Sequence, residues 1–270
     1  MQTLMLEDRQ VGYRDQGWGA PVVLVHGSAC TSGYWAPVSA ALGSGHRVLA
    51  PDLHGHGWSD PWSGEGQLTL ADEARLVAAV IAQAREPVHL VGHSYGGAVA
   101  LRAALDRPGS VRSLTLIEPA AFHLLAGEPF AEIQAVAARL TRAVCRGDYA
   151  AAMAGFVDYW NGAGTWQRLE RPERRELQRF AHAICLHFWA AMTELGTLAA
   201  YQRLDMPAVI VQGRLTTRPA ARVAGLLARA LPFARREIVA DAGHRLPATH
   251  PEAVAEILRR QFQPAEAIAA

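Results

Sequence analysis

Hydrophobic and polar positions fall into two patterns that alternate along this chain. The stretch "PVVLV" (21–25) is a short, continuous apolar run, which is typical of a strand covered on both faces of a sheet, and "PVHLV" (87–91) also resembles a buried strand. Between them, "LADEARLVAAVIAQA" (70–84) repeats its apolar residues every three or four positions and predicts a helix. A further helical stretch and another strand, "VRSLTLIEP" (111–119), follow. This alternation predicts a mostly parallel sheet with helices on both faces.

The pattern changes after this last strand. Residues 120–203 contain helical stretches such as "FAEIQAVAARLTRAVC" (130–145) and no convincing strand. Strand and helix patterns return with "MPAVIVQG" (206–213). We therefore predict an α/β protein whose doubly wound, mostly parallel sheet is built from residues 1–119 and 204–270. Residues 120–203 are predicted to form a helical cap inserted into this core.

Composition and charge argue against several function classes. Hydrophobic residues make up 50% of the 270 residues, and 26 basic against 25 acidic residues leave a formal net charge of +1. That balance offers no electrostatic basis for binding nucleic acid or an anionic membrane surface. No apolar run approaches the ~20 residues that span a bilayer, and "MQTLMLEDRQ" lacks the order of a signal peptide. We expect a cytoplasmic protein with no nucleic-acid partner and no membrane insertion.

Metal and cofactor sites have no clear signal in the sequence. The cysteines Cys30, Cys145 and Cys185 are far apart and show neither metal-ligand spacing nor a disulfide framework. His54 and His56 lie close together in a glycine-rich segment, but no third ligand is evident. We expect buried or inert thiols, an exposed or hydrogen-bonded histidine turn, and no metal or cofactor.

The most informative segment is "VGHSYGG" (91–97), where a predicted strand meets a predicted helix. The pattern Gly92-x-Ser94-x-Gly96 at such a junction is a nucleophile elbow, a tight turn that raises the serine hydroxyl above the sheet. The dipole and free N–H groups of the helix N-terminus can stabilise negative charge there. Ser94 is therefore a candidate nucleophile, and the alternative is a serine that only caps the helix.

Four segments together resemble the α/β-hydrolase fold superfamily over essentially the whole chain. They occur in that family's order and are "VLVHGS" (23–28), "PDLHGHGWSD" (51–60), "VGHSYGG" (91–97) and "DAGHRLPATHPE" (241–252). The resemblance implies a serine-nucleophile hydrolase with an oxyanion hole formed by the backbone N–H groups of Ser28 and Tyr95. It also implies that His244 is the base, and the near-neutral pKa typical of histidine suits that role.

The acid of the triad is where this sequence departs from the family's pattern. In much of the family the acid follows the seventh strand, a few residues after a glycine, and here Thr216 holds that place after Gly213. A variant within the family takes its acid from the end of the sixth strand, where this chain has Glu118. We expect Glu118 to be the acid because triads are recognised by the roles of their residues. Asp241 and a Ser–His dyad are the alternatives.

The expected function combines this site with an aromatic cap. The resemblance implies hydrolysis of a small to medium, largely apolar ester through an acyl-enzyme. Carbon–carbon, lactone or amide hydrolysis stays open, as does a ligand-binding or receptor-like protein with slow turnover. Trp160, Trp166 and Trp189 are expected to line the substrate pocket, and packing inside the cap is the alternative for at least half of the cap's tryptophans. The sequence leaves the oligomeric state open.

Overall fold

The computed structural model describes residues 1–263, so residues 264–270 of the second predicted core segment lie outside the described part. Within residues 1–263, eight strands form one sheet: β1 (Gln2–Leu6), β2 (Arg9–Gly17), β3 (Ala20–Val25), β4 (His46–Pro51), β5 (Val88–His93), β6 (Val111–Ile117), β7 (Ala208–Gly213) and β8 (Ala234–Val239). The α-helices of the same part of the chain are α1 (Ala36–Leu42), α2 (Leu70–Ile81), α3 (Tyr95–Asp106), α4 (Glu128–Cys145), α5 (Tyr149–Asn161), α6 (Thr165–Arg168), α7 (Arg171–Gln178), α8 (Ala181–Thr193), α9 (Leu198–Tyr201), α10 (Arg218–Ala230), α11 (Leu246–Thr249) and α12 (Pro251–Phe262).

The sheet is mostly parallel, as predicted. Its spatial order is β1-β2-β4-β3-β5-β6-β7-β8. The pairings of β1 with β2 and of β2 with β4 are antiparallel, and every pairing from β4 through β8 is parallel. Because parallel strands end at the same edge, the segments that follow β3, β5, β6 and β7 meet there, where ligands bind in open α/β sheets.

Alternate side chains of the central strands enter different halves of the core. On β3, Val23 and Val25 belong to the cluster that contains buried side chains of α2, α3 and α10. Val22 and Leu24 belong to the cluster that contains side chains of α1 and α12. Because both faces of the strand are covered by helices, all of these positions are apolar, which explains the continuous apolar run in the sequence. The predicted doubly wound α/β class is confirmed.

The chain between β6 and β7 is helical throughout its regular structure. It contains α4 to α9 and a 3₁₀ turn (Phe122–Leu124), all within the described residues. Helix α8 packs against α3 of the core, and α4 packs against α10. The assignment of residues 120–203 to a separate cap domain stays a prediction. Among residues 1–263, no helix has both the length and the apolar character needed to cross a membrane.

Candidate active site

Ser94 lies in a strained turn between β5 and α3. Its φ of 54° and ψ of −120° put a non-glycine residue in a sparsely populated backbone region. A Cβ on Gly92 would lie 2.2 Å from the carbonyl oxygen of Gly96, and one on Gly96 would lie 2.3 Å from that of His26. Both positions therefore require glycine. The Ser94 side chain makes no capping hydrogen bond to α3, so the alternative of a simple helix cap is wrong.

Three of the predicted site residues form one chain of hydrogen bonds. His244, in the segment between β8 and α11, has its Nε2 2.9 Å from Ser94 Oγ. Its Nδ1 lies 3.0 Å from Glu118 Oε2. Since a carboxylate can only accept, Nδ1 carries the hydrogen, and the lone pair of Nε2 faces the serine hydroxyl. All three side chains are buried. The arrangement can transfer a proton from the serine to the imidazole.

The orientation of the His244 ring is held by its neighbours. The indole of Trp160, from α5, stacks on the ring with centroids 4.1 Å apart and an interplanar angle of 25°. His93 Nε2 donates to the carbonyl oxygen of His244 at 2.8 Å. Burial, with a smaller effect from His244, lowers the pKa of His93 well below its usual value. His93 is therefore a neutral donor that anchors the backbone of His244.

Glu118 takes its position from the register between β6 and β7. It directly follows β6, and its φ of 49° lies in the left-handed region. Its backbone N–H donates to Val211 at 2.8 Å, and its Oε1 accepts from the N–H of Gly213 at 2.8 Å. Thr216, at the position where the family usually has its acid, donates its hydroxyl hydrogen to Oε2 of Glu118. Thr216 cannot supply a carboxylate itself, but its hydroxyl group binds the carboxylate of Glu118.

The alternative acid has a different environment. Asp241 is exposed, in the turn that follows β8. Among the side-chain hydrogen bonds of residues 1–263, His244 Nδ1 is joined to Glu118 and not to Asp241. Asp241 is only three positions from His244 along the chain, and that short loop does not bring its carboxylate to the imidazole.

Ser28 and Tyr95, the two residues expected to supply oxyanion N–H groups, lie beside Ser94. Both line a small cavity that Ser94 also lines. Tyr95 is the first residue of α3, and the first four N–H groups of a helix have no acceptor within it. A Cβ on Gly27 would lie 3.0 Å from Ser94 Cβ, so the glycine allows the loop that carries Ser28 to approach the serine closely.

His187, on α8, is a site residue that sequence reasoning missed. Its Nδ1 lies 2.8 Å from Ser28 Oγ, and its ring stacks on that of Tyr95 with centroids 3.8 Å apart. Burial, together with the nearby His56 and other histidines, lowers the pKa of His187 well below its usual value. His187 therefore contacts both expected oxyanion residues as a neutral ring. The only feature of the sequence that could have indicated this role is the single histidine inside the apolar stretch "AICLHFWAA" (183–191).

His54 and His56, in the glycine-rich segment, are buried. The expectation of a solvent-exposed turn is therefore wrong, and the expectation of a hydrogen-bonded turn is confirmed. His54 Nδ1 donates to Glu73 Oε2 at 2.9 Å, and His56 Nδ1 donates to the carbonyl oxygen of His54 at 2.9 Å. Burial, and to a lesser extent His26, lowers the pKa of His56 to about 4. Among residues 1–263, no group of three His, Cys, Asp or Glu side chains is arranged to hold a metal ion.

The thiols differ in their surroundings. Cys145 is exposed at the end of α4, so of the two alternatives, buried or inert, the buried one is wrong for this thiol, whereas Cys30 and Cys185 are partly buried. Burial raises the pKa of Cys30 to about 12. Cys30 lines the cavity next to Ser94 but stays protonated at neutral pH, so it is a poor nucleophile there.

A cavity of about 700 Å³ opens next to Ser94 and His244. Of the three tryptophans expected to line it, Trp160 does so. Trp166 instead packs in the apolar core, with the Arg174 guanidinium 6.0 Å from the centre of its ring. Trp189 is 46% exposed on α8. The expectation is therefore wrong for Trp166 and Trp189, neither of which lines this cavity.

Part of the chain is similar to known enzymes. A pimeloyl-[acyl-carrier protein] methyl ester esterase of Aliivibrio salmonicida is 36% identical over 105 residues, which are 39% of this chain and 38% of the esterase. A lipase of Mycobacterium tuberculosis is 38% identical over 104 residues, which are 37% of this chain and 38% of the lipase. The chain thus matches well under half of the length of these relatives.

The similarity in structure extends over the whole fold. An alpha/beta hydrolase from Sphaerobacter thermophilus has a TM-score of 0.79 at 23% sequence identity, and the match covers 97% of this chain and 100% of that one. This likeness supports the shared fold. The family model of the alpha/beta hydrolases matches residues 22–257, from β3 to α12, and the chain therefore belongs to the alpha/beta hydrolase family.

Proposed function

We propose that this protein is a serine hydrolase that cleaves a small to medium, largely apolar ester through an acyl-enzyme. The observation that carries the proposal is the hydrogen-bond chain from Ser94 Oγ through His244 to Glu118, with N···O distances of 2.9 and 3.0 Å. A serine nucleophile needs such a base, and the base needs a partner that holds its tautomer. The chain supplies all three groups from its own side chains.

In the first half of the reaction, Ser94 Oγ attacks the ester carbonyl carbon while His244 Nε2 accepts the hydroxyl proton. The imidazolium that forms is stabilised by the Glu118 carboxylate, which does not itself become protonated. The carbonyl oxygen becomes an oxyanion and accepts hydrogen bonds from the N–H groups of Ser28 and Tyr95. Loss of one such donor typically costs about 3 kcal/mol of transition-state stabilisation.

The tetrahedral intermediate then expels the alcohol, whose oxygen takes the proton from His244 Nε2. The acyl group is left as an ester of Ser94. In the second half, His244 accepts a proton from water as the water attacks the acyl carbon, and it returns that proton to Ser94 Oγ when the acid leaves. Each proton removed in one step is returned in the next, so the protein is regenerated.

The cavity supports an apolar substrate of moderate size. Its volume of about 700 Å³ lies within the ~300–1,000 Å³ of small-molecule sites. Its lining includes apolar side chains of the proposed cap, namely Phe156, Val157, Trp160, Leu169 and Leu177, as well as the side chains of Glu173 and Glu176. The two relatives named above are an esterase and a lipase, which also favours ester hydrolysis. A slow-turnover binding protein is less well supported. The reason to consider it is that Thr216 stands where the family usually has its acid, and Glu118 offers a carboxylate to His244 instead.

Covalent labelling with a fluorophosphonate tests the proposal. We expect the wild-type protein to be labelled on Ser94 and to hydrolyse 4-nitrophenyl acetate, and Ser94→Ala to lose both properties. Ser44→Ala, which changes an exposed serine far from the elbow in sequence, is the matched control and should behave like the wild type. An unlabelled wild type, or full esterase activity in Ser94→Ala, would exclude a serine hydrolase.

A further inference from the structure

Glu73, on α2, is a fully buried carboxylate that the reaction proposed above does not use. Its Oε2 accepts two hydrogen bonds from His54, one from Nδ1 at 2.9 Å and one from the backbone N–H at 3.3 Å. Its Oε1 lies 3.9 Å from Nε2 of His187. Both of these atoms are buried, and neither has a hydrogen-bond partner among residues 1–263. Because buried polar atoms are normally paired, the polarity of this contact matters.

The contact with Glu73 determines which nitrogen of His187 carries the hydrogen. Burial keeps the pKa of His187 well below its usual value, so the ring is neutral and has a single N–H. At 3.9 Å the two atoms are too far apart for a direct hydrogen bond, but a lone pair on Nε2 would be repelled by the negative Oε1, whereas an N–H is attracted. His56, whose ring stacks on His187, already donates to the carbonyl oxygen of His54 and offers no donor to Nε2. The hydrogen of His187 therefore belongs on Nε2.

Ser28 then donates its hydroxyl hydrogen to His187. In this tautomer Nδ1 is an acceptor, and it lies 2.8 Å from Ser28 Oγ. Hydroxyl, imidazole and carboxylate follow one another in the same order as in the proposed triad, with the two ring nitrogens exchanged. Because burial keeps His187 neutral, its imidazole holds the serine hydroxyl in place and does not take its proton.

His26 holds the other side of the same loop. Its Nε2 accepts from the N–H of Leu53 at 3.0 Å, so its Nδ1 carries the ring hydrogen and donates to the carbonyl oxygen of Gly27 at 2.8 Å. The C=O of Gly27 and the N–H of Ser28 belong to one planar, trans peptide unit and point in opposite directions. The direction of the Ser28 N–H therefore depends on His26 at the carbonyl and on His187 at the serine side chain.

We propose that Glu73 is a positioning residue for the oxyanion site. By fixing the tautomer of His187, it fixes the hydroxyl of Ser28 and, with it, the backbone N–H that is expected to bind the oxyanion. This inference rests on the serine hydrolase proposed above. The three residues come from separate parts of the fold, because Glu73 lies on α2, His187 on α8 and Ser28 in the loop after β3. Helix α8 of the proposed cap thus takes part in holding the oxyanion site.

Glu73→Gln reverses the polarity of this contact with little change in size. Both hydrogen bonds from His54 go to Oε2, so the amide oxygen should stay at that position and the NH₂ group should replace Oε1. The NH₂ group is a donor and favours a lone pair on His187 Nε2, which places the ring hydrogen on Nδ1. Ser28 Oγ would then accept from His187 instead of donating to it.

Nitrogen-15 NMR of the histidine rings reads the tautomer directly, because a ring nitrogen with a hydrogen and one with a lone pair resonate in different ranges. The His187 signals are those missing from His187→Phe. We expect the hydrogen on Nε2 in the wild type and on Nδ1 in Glu73→Gln. Asp72→Asn is the matched control, since it removes the neighbouring carboxylate of α2, which binds Thr69 and Arg75, and it should keep the wild-type tautomer. A wild type with the hydrogen on Nδ1, or an unchanged tautomer in Glu73→Gln, would overturn the proposal.

Hydrolysis of 4-nitrophenyl acetate supplies the functional readout. Rates are expressed per active site, counted by titration with a fluorophosphonate, so that a loss of folded protein cancels. We expect Glu73→Gln to lower kcat about 5–10-fold with little change in KM, which corresponds to the loss of one neutral hydrogen bond. Asp72→Asn should keep the wild-type kcat. Combining Glu73→Gln with His187→Phe should cost no more than His187→Phe alone, because both changes act through Ser28. Losses that multiply would show that Glu73 acts elsewhere.

The two readouts separate the positioning role from the serine hydrolase. If no ester is hydrolysed and the fluorophosphonate leaves Ser94 unlabelled, the hydrolase is excluded and the role at an oxyanion site falls with it, whichever tautomer His187 has. If Ser94 is labelled and active but Glu73→Gln keeps the wild-type kcat, only the positioning role is wrong.

Discussion

The Glu118→Gln substitution probes the carboxylate behind His244, the proposed base, with little change in size. In the structure this carboxylate accepts three hydrogen bonds, from the N–H of Gly213, the hydroxyl of Thr216 and Nδ1 of His244. The amide keeps one acceptor oxygen but removes the negative charge. It also adds a donor that can face His244 and favour the wrong tautomer of the imidazole.

The magnitude follows from the distance between the two groups in the transition state. When His244 is an imidazolium, its positive charge lies about 3 Å from Glu118 Oε2, as the N···O distance of 3.0 Å indicates. At an effective dielectric constant of about 20, such a pair is worth about 5.5 kcal/mol. Since about 1.4 kcal/mol corresponds to a factor of ten in rate, kcat should fall by about 10³–10⁴-fold. Because Glu118 lies behind His244, KM should change little.

The assay is steady-state hydrolysis of an aryl acetate by the wild type and two variants. Asp241→Asn is the matched control, because it also removes one carboxylate near His244 in the sequence but at an exposed position. We expect the wild-type kcat for this control. If Glu118→Gln keeps more than about a tenth of the wild-type kcat, or if Asp241→Asn loses as much activity, Glu118 is not the acid.

Three further predictions follow from other parts of the structure. His187→Phe keeps an aromatic ring but loses the hydrogen bond to Ser28 Oγ, so kcat should fall about 5–10-fold with little change in KM. Ser28→Ala should have the same effect, and full additivity in the double variant would contradict a shared role. The buried His56 has a pKa of about 4 against ~6.5 when unfolded, so the free energy of unfolding is undiminished above pH 6.5 and should lose about 2 kcal/mol through this residue by pH 5. Urea unfolding of His56→Phe should show a smaller loss over that range, and an equal loss would refute the assignment. Iodoacetamide at pH 8 should modify the exposed Cys145 much faster than Cys30, whose pKa is raised to about 12, as peptide mass spectrometry would reveal; equal rates would contradict this.

Local sequence was sufficient for the parts of the fold that depend on neighbours in the chain. The continuous apolar run of β3 predicts a strand, because a strand that is covered on both faces needs apolar residues at every position. The elbow around Ser94 is predictable from Gly92 and Gly96, because neither position has space for a Cβ. The lining of the cavity was less predictable. Trp160, Trp166 and Trp189 all lie in helical, aromatic stretches, and only Trp160 reaches His244. A helical pattern identifies an apolar residue but does not tell whether it faces a core, a cavity or solvent.

The sequence by itself determined the α/β alternation, the helical segment between β6 and β7, and the elbow that presents Ser94, because each depends on a short stretch of chain. The tertiary structure decided which carboxylate meets His244. Glu118 and His244 are 126 positions apart, and they meet because parallel β6 and β7 end at one edge, in a register that also brings Thr216 to the same carboxylate. It also decided the contact of His187 with Ser28, 159 positions away. Such contacts depend on how whole elements pack, and no local pattern records them.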